Sequence, residues 1–450
     1  MNQQAWDTTD PDSEPEEPAK SETTGDRFVI EGGSPISGTA TASGNKNEAL
    51  PMLAAALLVR GPVTIENLPK IDDVATLIAV IQGLGAAVDV GEHAATVDAS
   101  GLSDARLDPA LARGIRGSFL LAAPLLARLG EVTLPQPGGD RIGRRRVDTH
   151  LLALQQLGAE VRIGDAYRLA LPGGRFRGAE VFLDETSVTG TETAVMAAAV
   201  ADGSTRILNA ASEPHVQGLC HALAGMGARI RGIGSNVLDV DGIRDLRPVR
   251  HRLSPDHIEI GSLAAIAAMT GGDLRIPDIV PDHLRMIRLV YERLGVETRI
   301  DGTTLVVPSG QKRAIVPDVG GMIPKVDDAP WPGFPADLTS LALVLATQCE
   351  GTVLIHEKLF ESRLFFVDRL IGMGARIVLC DPHRAVVIGP SRLSGAEIVS
   401  PDIRAGMALV GAALCAHGVS VIHNVRQVDR GYERIDERLC ALGARLTRRR

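Results

Sequence analysis

Aromatic side chains make up only 3% of the 450 residues, and no apolar run approaches the ~20 residues that a membrane-spanning helix needs. A surplus of positive charge is also missing. The formal net charge is -8, which excludes the global basic footprint of a nucleic-acid-binding chain, so any anion binding must be local. The five cysteines (Cys220, Cys349, Cys380, Cys415, Cys440) form no C-x-x-C pair. They read as buried free thiols in a reducing cytoplasm, not as a disulfide framework or metal site. The N-terminus lacks a basic region followed by an apolar one, so no secretory leader is expected. Apolar residues are almost absent from "TTDPDSEPEEPAKSETTGD", and residues 1–26 are expected to form a disordered acidic tail.

What is present is a repeat. "GLGAAVDV", "QLGAEVRI", "GMGARIRG", "RLGVETRI", "GMGARIVL" and "ALGARLTR" begin at Gly83, Gln156, Gly225, Arg293, Gly372 and Ala441, roughly seventy residues apart. Each follows an amphipathic helical stretch. The phrase glycine suits a helix C-cap, and the alternation after it predicts a strand. Between the phrases lie six nearly all-apolar helices, such as "NEALPMLAAALL" and "LTSLALVLAT", each leading through a turn into a strand. A helix that is apolar all round is buried. The pattern predicts six small α/β subdomains in two lobes of three, joined near Arg250. Lobe 1 is expected over 47–250, and lobe 2 over 27–46 plus 251–450. A two-lobed chain has a cleft, the usual place for a ligand.

Three groups break the repeat. "SGNKNEALP" puts Lys46 and Asn47 at the opening of a buried helix, where free N–H groups favour an anion. "LPQPGGDRIGRRRVDTH" crowds four arginines around Asp140 after a Gly138-Gly139 turn, and 136–147 is expected to be a lid. Arg363, Arg404 and Arg430 stand at unit ends beside Glu361, Asp402 and Asp429. Arginine grips phosphate or carboxylate bidentately, so cations gathered in an acidic protein point to a small polyanionic ligand.

With these motifs, "SVTGTE", "FPADL" and "DRGYERI", the chain from about Phe28 onward resembles the enolpyruvyl transferases. Lys46-Asn47 and the "RVD" segment resemble the branch that acts on UDP-N-acetylglucosamine. The shikimate-phosphate branch carries Lys-Ser there and lacks the uridine-binding segment. The resemblance implies an α/β fold of the two-lobed inside-out barrel (βα-prism) type. It implies transfer of the enolpyruvyl group of phosphoenolpyruvate to a sugar 3-hydroxyl by addition and elimination, with no metal or cofactor. Small-molecule substrates are the only partners it implies.

Residue by residue, Asp337 matches the aspartate beside the sugar hydroxyl, and Asp140 stands where the family's proton-donating lid cysteine usually is. Lys46, Arg145 and Arg430 match the groups that hold the donor, with Arg363 and Arg404 nearby. Arg116, Arg145, Arg146, Val147, Asp148, Thr149, Ser187 and Val188 match the nucleotide-sugar site, and Asn47 the acceptor contact. Asp73, Leu359 and Asp402 also fall in the implied substrate site. Asp140 is a departure: it lacks the thiolate on which fosfomycin opens, so insensitivity is expected. The bland alternative makes Asp140 a salt-bridge partner of Arg141 or Arg144. Further departures are Arg146 where Pro is common, Glu185 where Lys is common, and Trp331 and Gln427 where some members have His.

Overall fold

The structure is a computed structural model that describes residues 25–140 and 142–450. The expected disordered tail lies outside the described residues except for its last two. Of these, Asp26 joins the folded body: its carboxylate pairs with Arg448 and its carbonyl accepts the Val425 N–H.

All six repeat phrases have one geometry. The glycines Gly85, Gly158, Gly227, Gly295, Gly374 and Gly443 each take a φ between +82° and +114°. An L side chain is strained there, so glycine both ends the helix and starts the next strand. The six apolar helices are Lys46–Ala56, Ala122–Leu129, Val188–Ala199, His257–Thr270, Thr339–Thr347 and Ile403–Cys415. They are almost wholly buried.

In five of the six units the strand after the helix is an inner strand of its own sheet; in the second, Glu131–Pro135 stands at the edge. Each of these strands pairs antiparallel with one arm of the hairpin that follows the glycine phrase, as Val63 does with Val97 and Val353 with Val387. On its other side five of the six take a parallel strand from elsewhere in the chain. Arg250–Arg252 completes the first unit, and Gly38–Thr39 completes the fourth. The sixth sheet uses the N-terminal strand Arg27–Glu31 as its hairpin arm. The result is six separate open sheets of three or four strands, a mixed α/β fold, and no closed barrel forms among the described residues.

Buried apolar residues form two clusters. One runs from Ala49 to Leu253; the other combines Phe28 to Ala42 with Ile258 to Leu446. The chain passes between them twice, and the two passages pair: Gly44 bridges Pro255, and the Asn45 and Asp256 N–H groups donate to the Ser254 and Ser43 carbonyls. Gly44 has no room for a side chain there, because a Cβ would overlap the Asn67 carbonyl. None of the described helices is long and apolar enough to cross a membrane.

Candidate active site

Lys46 opens the first apolar helix because Asn45 caps it, accepting the Glu48 N–H at 3.1 Å. The Lys46 ammonium is buried and lies 2.8 Å from Asp73, the second residue of helix Asp72–Gly83. Asp73 also takes the Arg430 Nε at 2.9 Å. Arg430 then reaches Asp140 through Nη1 at 2.5 Å and Gln427 Oε1 at 2.9 Å. Burial opposes ionisation of Asp73, but Lys46 and Arg430 outweigh it and hold the carboxyl below its usual range. Asp73 therefore fixes two cations from different parts of the chain.

Asp337 does the same for a second pair. Arg363 Nη2 lies 3.2 Å from one carboxylate oxygen, and Arg404 Nη2 lies 2.9 Å from the other. Burial again opposes ionisation, yet Arg404, Arg363 and Lys46 hold Asp337 far below the ordinary carboxylate range. Arg145 faces both centres. Burial lowers its pKa, Asp140 and Asp337 raise it, and Arg363 and Arg430 oppose them. Among the described residues no carboxylate pairs with Arg145 within 4 Å. Five cations thus surround three carboxylates. Arg363 Nε and Nη1 and Arg404 Nη1 are buried donors without a hydrogen-bond partner among the described residues. Buried donors left open beside surplus positive charge favour an anionic ligand.

The carboxylates adjacent in sequence to these arginines do other work. Asp402 caps helix Ile403–Cys415 through the Arg404 and Ala405 N–H groups, at 2.8 and 2.9 Å. Asp429 pairs with Arg448 at 2.7 Å. Glu361 accepts the Arg144 N–H at 3.1 Å, and Ser362 donates to the Ile142 carbonyl at 3.2 Å. The described part of the 136–147 segment is therefore drawn onto the second core, with Asp140 on Arg430 rather than on Arg144; Arg141 lies outside the described residues.

The expected nucleotide-sugar residues gather beside this centre. Val147 precedes helix Asp148–Gln156, Asp148 opens it and Thr149 is buried in it. Ser187 caps helix Val188–Ala199. Arg116 donates to the Arg146 carbonyl, and burial, helped by Arg145, lowers its pKa to about 10. Arg146 binds Asp148 at 3.2 Å and Asp184 at 2.8 Å; Asp184 also accepts the Thr149 hydroxyl at 2.8 Å. Asp184 has no sequence signal of its own. Asn47 is half-buried one residue past Lys46, and Leu359 is exposed next to Lys358. Of the remaining departures, Gln427 supports Arg430, while Trp331 packs edge-on against His257 and donates its main-chain N–H to Glu213. No group of three or more His, Cys, Asp or Glu among the described residues could hold a metal.

Six repeated α/β units and a cation-lined site define an enolpyruvyl transferase. Residues 30–439 match the EPSP synthase (3-phosphoshikimate 1-carboxyvinyltransferase) family, and the chain belongs to it. Within that family it is 56% identical over 423 residues to the UDP-N-acetylglucosamine 1-carboxyvinyltransferase of Bradyrhizobium diazoefficiens, covering 94% of this chain and 98% of the relative. It is 53% identical over 420 residues to the enzyme of the same name from Treponema denticola, covering 93% and 98%. The enolpyruvyl transferase NikO from Streptomyces tendae superposes with a TM-score of 0.82 at 26% identity, covering 94% and 98%. EPSP synthase from Acinetobacter baumannii shares the fold, with a TM-score of 0.71 at 16% identity over 95% and 100%.

Proposed function

We propose that the protein transfers the enolpyruvyl group of phosphoenolpyruvate to the 3-hydroxyl of UDP-N-acetylglucosamine and releases phosphate, the first committed step of peptidoglycan synthesis. The observation that carries this reading is the Asp337 carboxylate held between Arg363 and Arg404, with Lys46, Arg145 and Arg430 around it. Asp337 takes the hydroxyl proton, and the freed oxygen attacks C2 of the donor. Asp140 protonates the donor's methylene carbon. The resulting ketal then loses a proton from that carbon and expels phosphate.

The cations bind the donor's phosphate and carboxylate and stabilise charge where it develops. They also couple binding to chemistry. An Asp337 pinned by three cations is a weak base. Once the donor anion draws Arg363, Arg404 and Lys46 to itself, Asp337 regains basicity, so the base strengthens only when the donor is present.

The two apolar cores are read as two lobes, 47–250 and 27–46 plus 251–450, with the 136–147 lid reaching across the cleft. Buried helices inside half-exposed sheets support an inside-out arrangement. Arg116 and the segment from Arg145 to Thr149, with Ser187 and Val188, form the nucleotide-sugar side, and Asn47, Asp73, Leu359 and Asp402 border the substrates. A cytoplasmic setting agrees with five unpaired cysteines, although only Cys220 and Cys349 are buried as expected; Cys415 is partly buried, and Cys380 and Cys440 are exposed.

The test is phosphate release with both substrates, run beside Asp337→Asn. Turnover that needs both substrates and falls in the variant is expected; none in the wild type overturns the reading. A different nucleotide or nucleoside acceptor is the second reading, favoured by Glu185 and Arg146 at the nucleotide side. Faster turnover with such an acceptor would establish it.

A further inference from the structure

In three of the six units the residue after the strand that follows the apolar helix has one fixed job. Asn67, Asn209 and Asn424 follow Pro62–Glu66, Ser204–Leu208 and Val419–His423 at φ of 57°, 61° and 56°. Each side-chain amide donates at 3.0 Å to the carbonyl opposite it on the parallel neighbour: Leu253, Leu183 and Ser400. In the fifth unit the corresponding residue is Glu357, after Gly351–His356 and opposite Asp328 by register. It has no positive φ and, having no N–H in its side chain, ties down no carbonyl. Its carboxyl is fully buried, and neither oxygen has a hydrogen-bond partner among the described residues. Oε2 lies 3.7 Å from the Arg363 Nε, while Nη2 of the same guanidinium meets Asp337.

We propose that Glu357 is a positioning residue for the donor site: it backs Arg363 from the protein interior and sets how far the guanidinium reaches toward an anion in the cleft. The inference rests on Arg363 serving the enolpyruvyl transfer proposed above.

The surroundings decide how this works. Among the described residues Arg363 is the one cation in salt-bridge range of the carboxyl. Asp328 lies beside it but spends its oxygens on the Lys358 and Leu359 N–H groups. Lys358 turns away to Asp327 at 2.8 Å. His383 bonds the Glu357 carbonyl rather than its side chain, at 2.7 Å. Thr339, from helix Thr339–Thr347, offers only a hydroxyl. Burial, with Asp328 adding to it and Arg363 opposing, pushes the Glu357 carboxyl up to about 8. Near neutrality it is therefore largely protonated, and the Arg363 charge is offered to the cleft. Above that pH it ionises, competes with the donor for Arg363, and draws the guanidinium inward.

The experiment measures KM for phosphoenolpyruvate and kcat from about pH 6.5 to 9.5 in the wild type, Glu357→Gln and Glu357→Asp. In the wild type KM should be flat to about pH 8 and rise several-fold above it, as expected for one ionisation. Glu357→Gln, a fixed neutral analogue, should keep a low KM across the range with kcat near the wild-type value at neutrality. Glu357→Asp should keep the alkaline rise. A structural role would instead lower kcat and thermal stability at every pH. A wild-type KM that stays flat to pH 9.5 overturns the proposal even if the Gln variant does not fold. An alkaline rise that persists in Glu357→Gln also overturns it. Absence of any turnover in the wild type is a separate result, against the transferase reading itself.

Discussion

Asp140 lies 2.5 Å from the same guanidinium that Asp73 holds at 2.9 Å, so Arg430 ties the 136–147 segment to helix Asp72–Gly83. The residue that stands in for the family's lid cysteine is thus an ion-pair partner in this arrangement. To reach a substrate it must part from Arg430, and a donor anion that claims the arginine makes that exchange.

That exchange predicts a distinctive drug response. A carboxylate is a poor nucleophile toward an epoxide, and all five cysteines are far along the chain from the lid, so the protein should be insensitive to fosfomycin. Asp140→Cys should stay active and become covalently inactivated. Mass spectrometry of inhibitor-treated protein checks both: a stoichiometric adduct on the wild type, or full turnover in Asp140→Ala, removes Asp140 from the mechanism.

Cation removal should be severe and local. Lys46→Ala, Arg145→Ala and Arg430→Ala should each lower kcat/KM by about a hundredfold or more, because each loses a charge-assisted contact in a partly dry site. Circular dichroism should show the fold retained. Near-normal activity in all three would mean that the anion binds elsewhere.

Closure should depend on Glu361. Its own main-chain N–H and that of Arg144 hold its carboxyl below the ordinary range, so this contact is present above the usual glutamate pKa and lost as pH falls through the lowered value. Glu361→Ala should raise KM for both substrates and speed proteolytic cutting between Gly138 and Arg146. UDP-N-acetylglucosamine should slow that cutting in the wild type and compact the molecule in solution scattering. Equal cutting rates in variant and wild type would break the link between Glu361 and the lid.

Three buried histidines predict acid sensitivity. Burial pushes His150, His215 and His257 down to about 3, with Arg116 adding to it at His150 and neighbouring histidines adding to it at the other two. They stay neutral in the folded state, whereas the unfolded chain titrates them near 6.5. The unfolded state therefore binds more protons between about pH 3 and 6.5, and stability falls as pH drops through that window. Thermal unfolding from pH 7 to 4 should show the decline, with a shallower slope in His215→Phe. An unchanged slope would place the acid sensitivity elsewhere.

The repeat was legible because glycine at a left-handed φ and all-apolar helices both leave local marks. The parallel strand that completes five of the sheets was not, since pairs such as Arg250 with Thr64 depend on a distant edge. At the site, the cations stood out by type, but their partners did not. Proximity along the chain suggested Glu361, Asp402 and Asp429 as carboxylates for Arg363, Arg404 and Arg430, whereas the fold supplies Asp337, Asp73 and Asp140. Only the family resemblance pointed to Asp73. Glu357 was invisible, because one glutamate in "HEKLFESR" carries no sign of burial.

The N-terminal strand has a consequence for synthesis. Phe28 sits between Ile422 and Arg448, partners made roughly four hundred residues later. The core from Ala49 to Leu253 is complete once Arg250–Arg252 has left the ribosome, so this half can fold while translation continues. The other half cannot. Its first strand must wait, unpaired, until Val419–His423 emerges, and it keeps one edge open until Arg445–Arg449 follows, so a nascent chain stalled short of that point would carry a finished first core and an open strand edge.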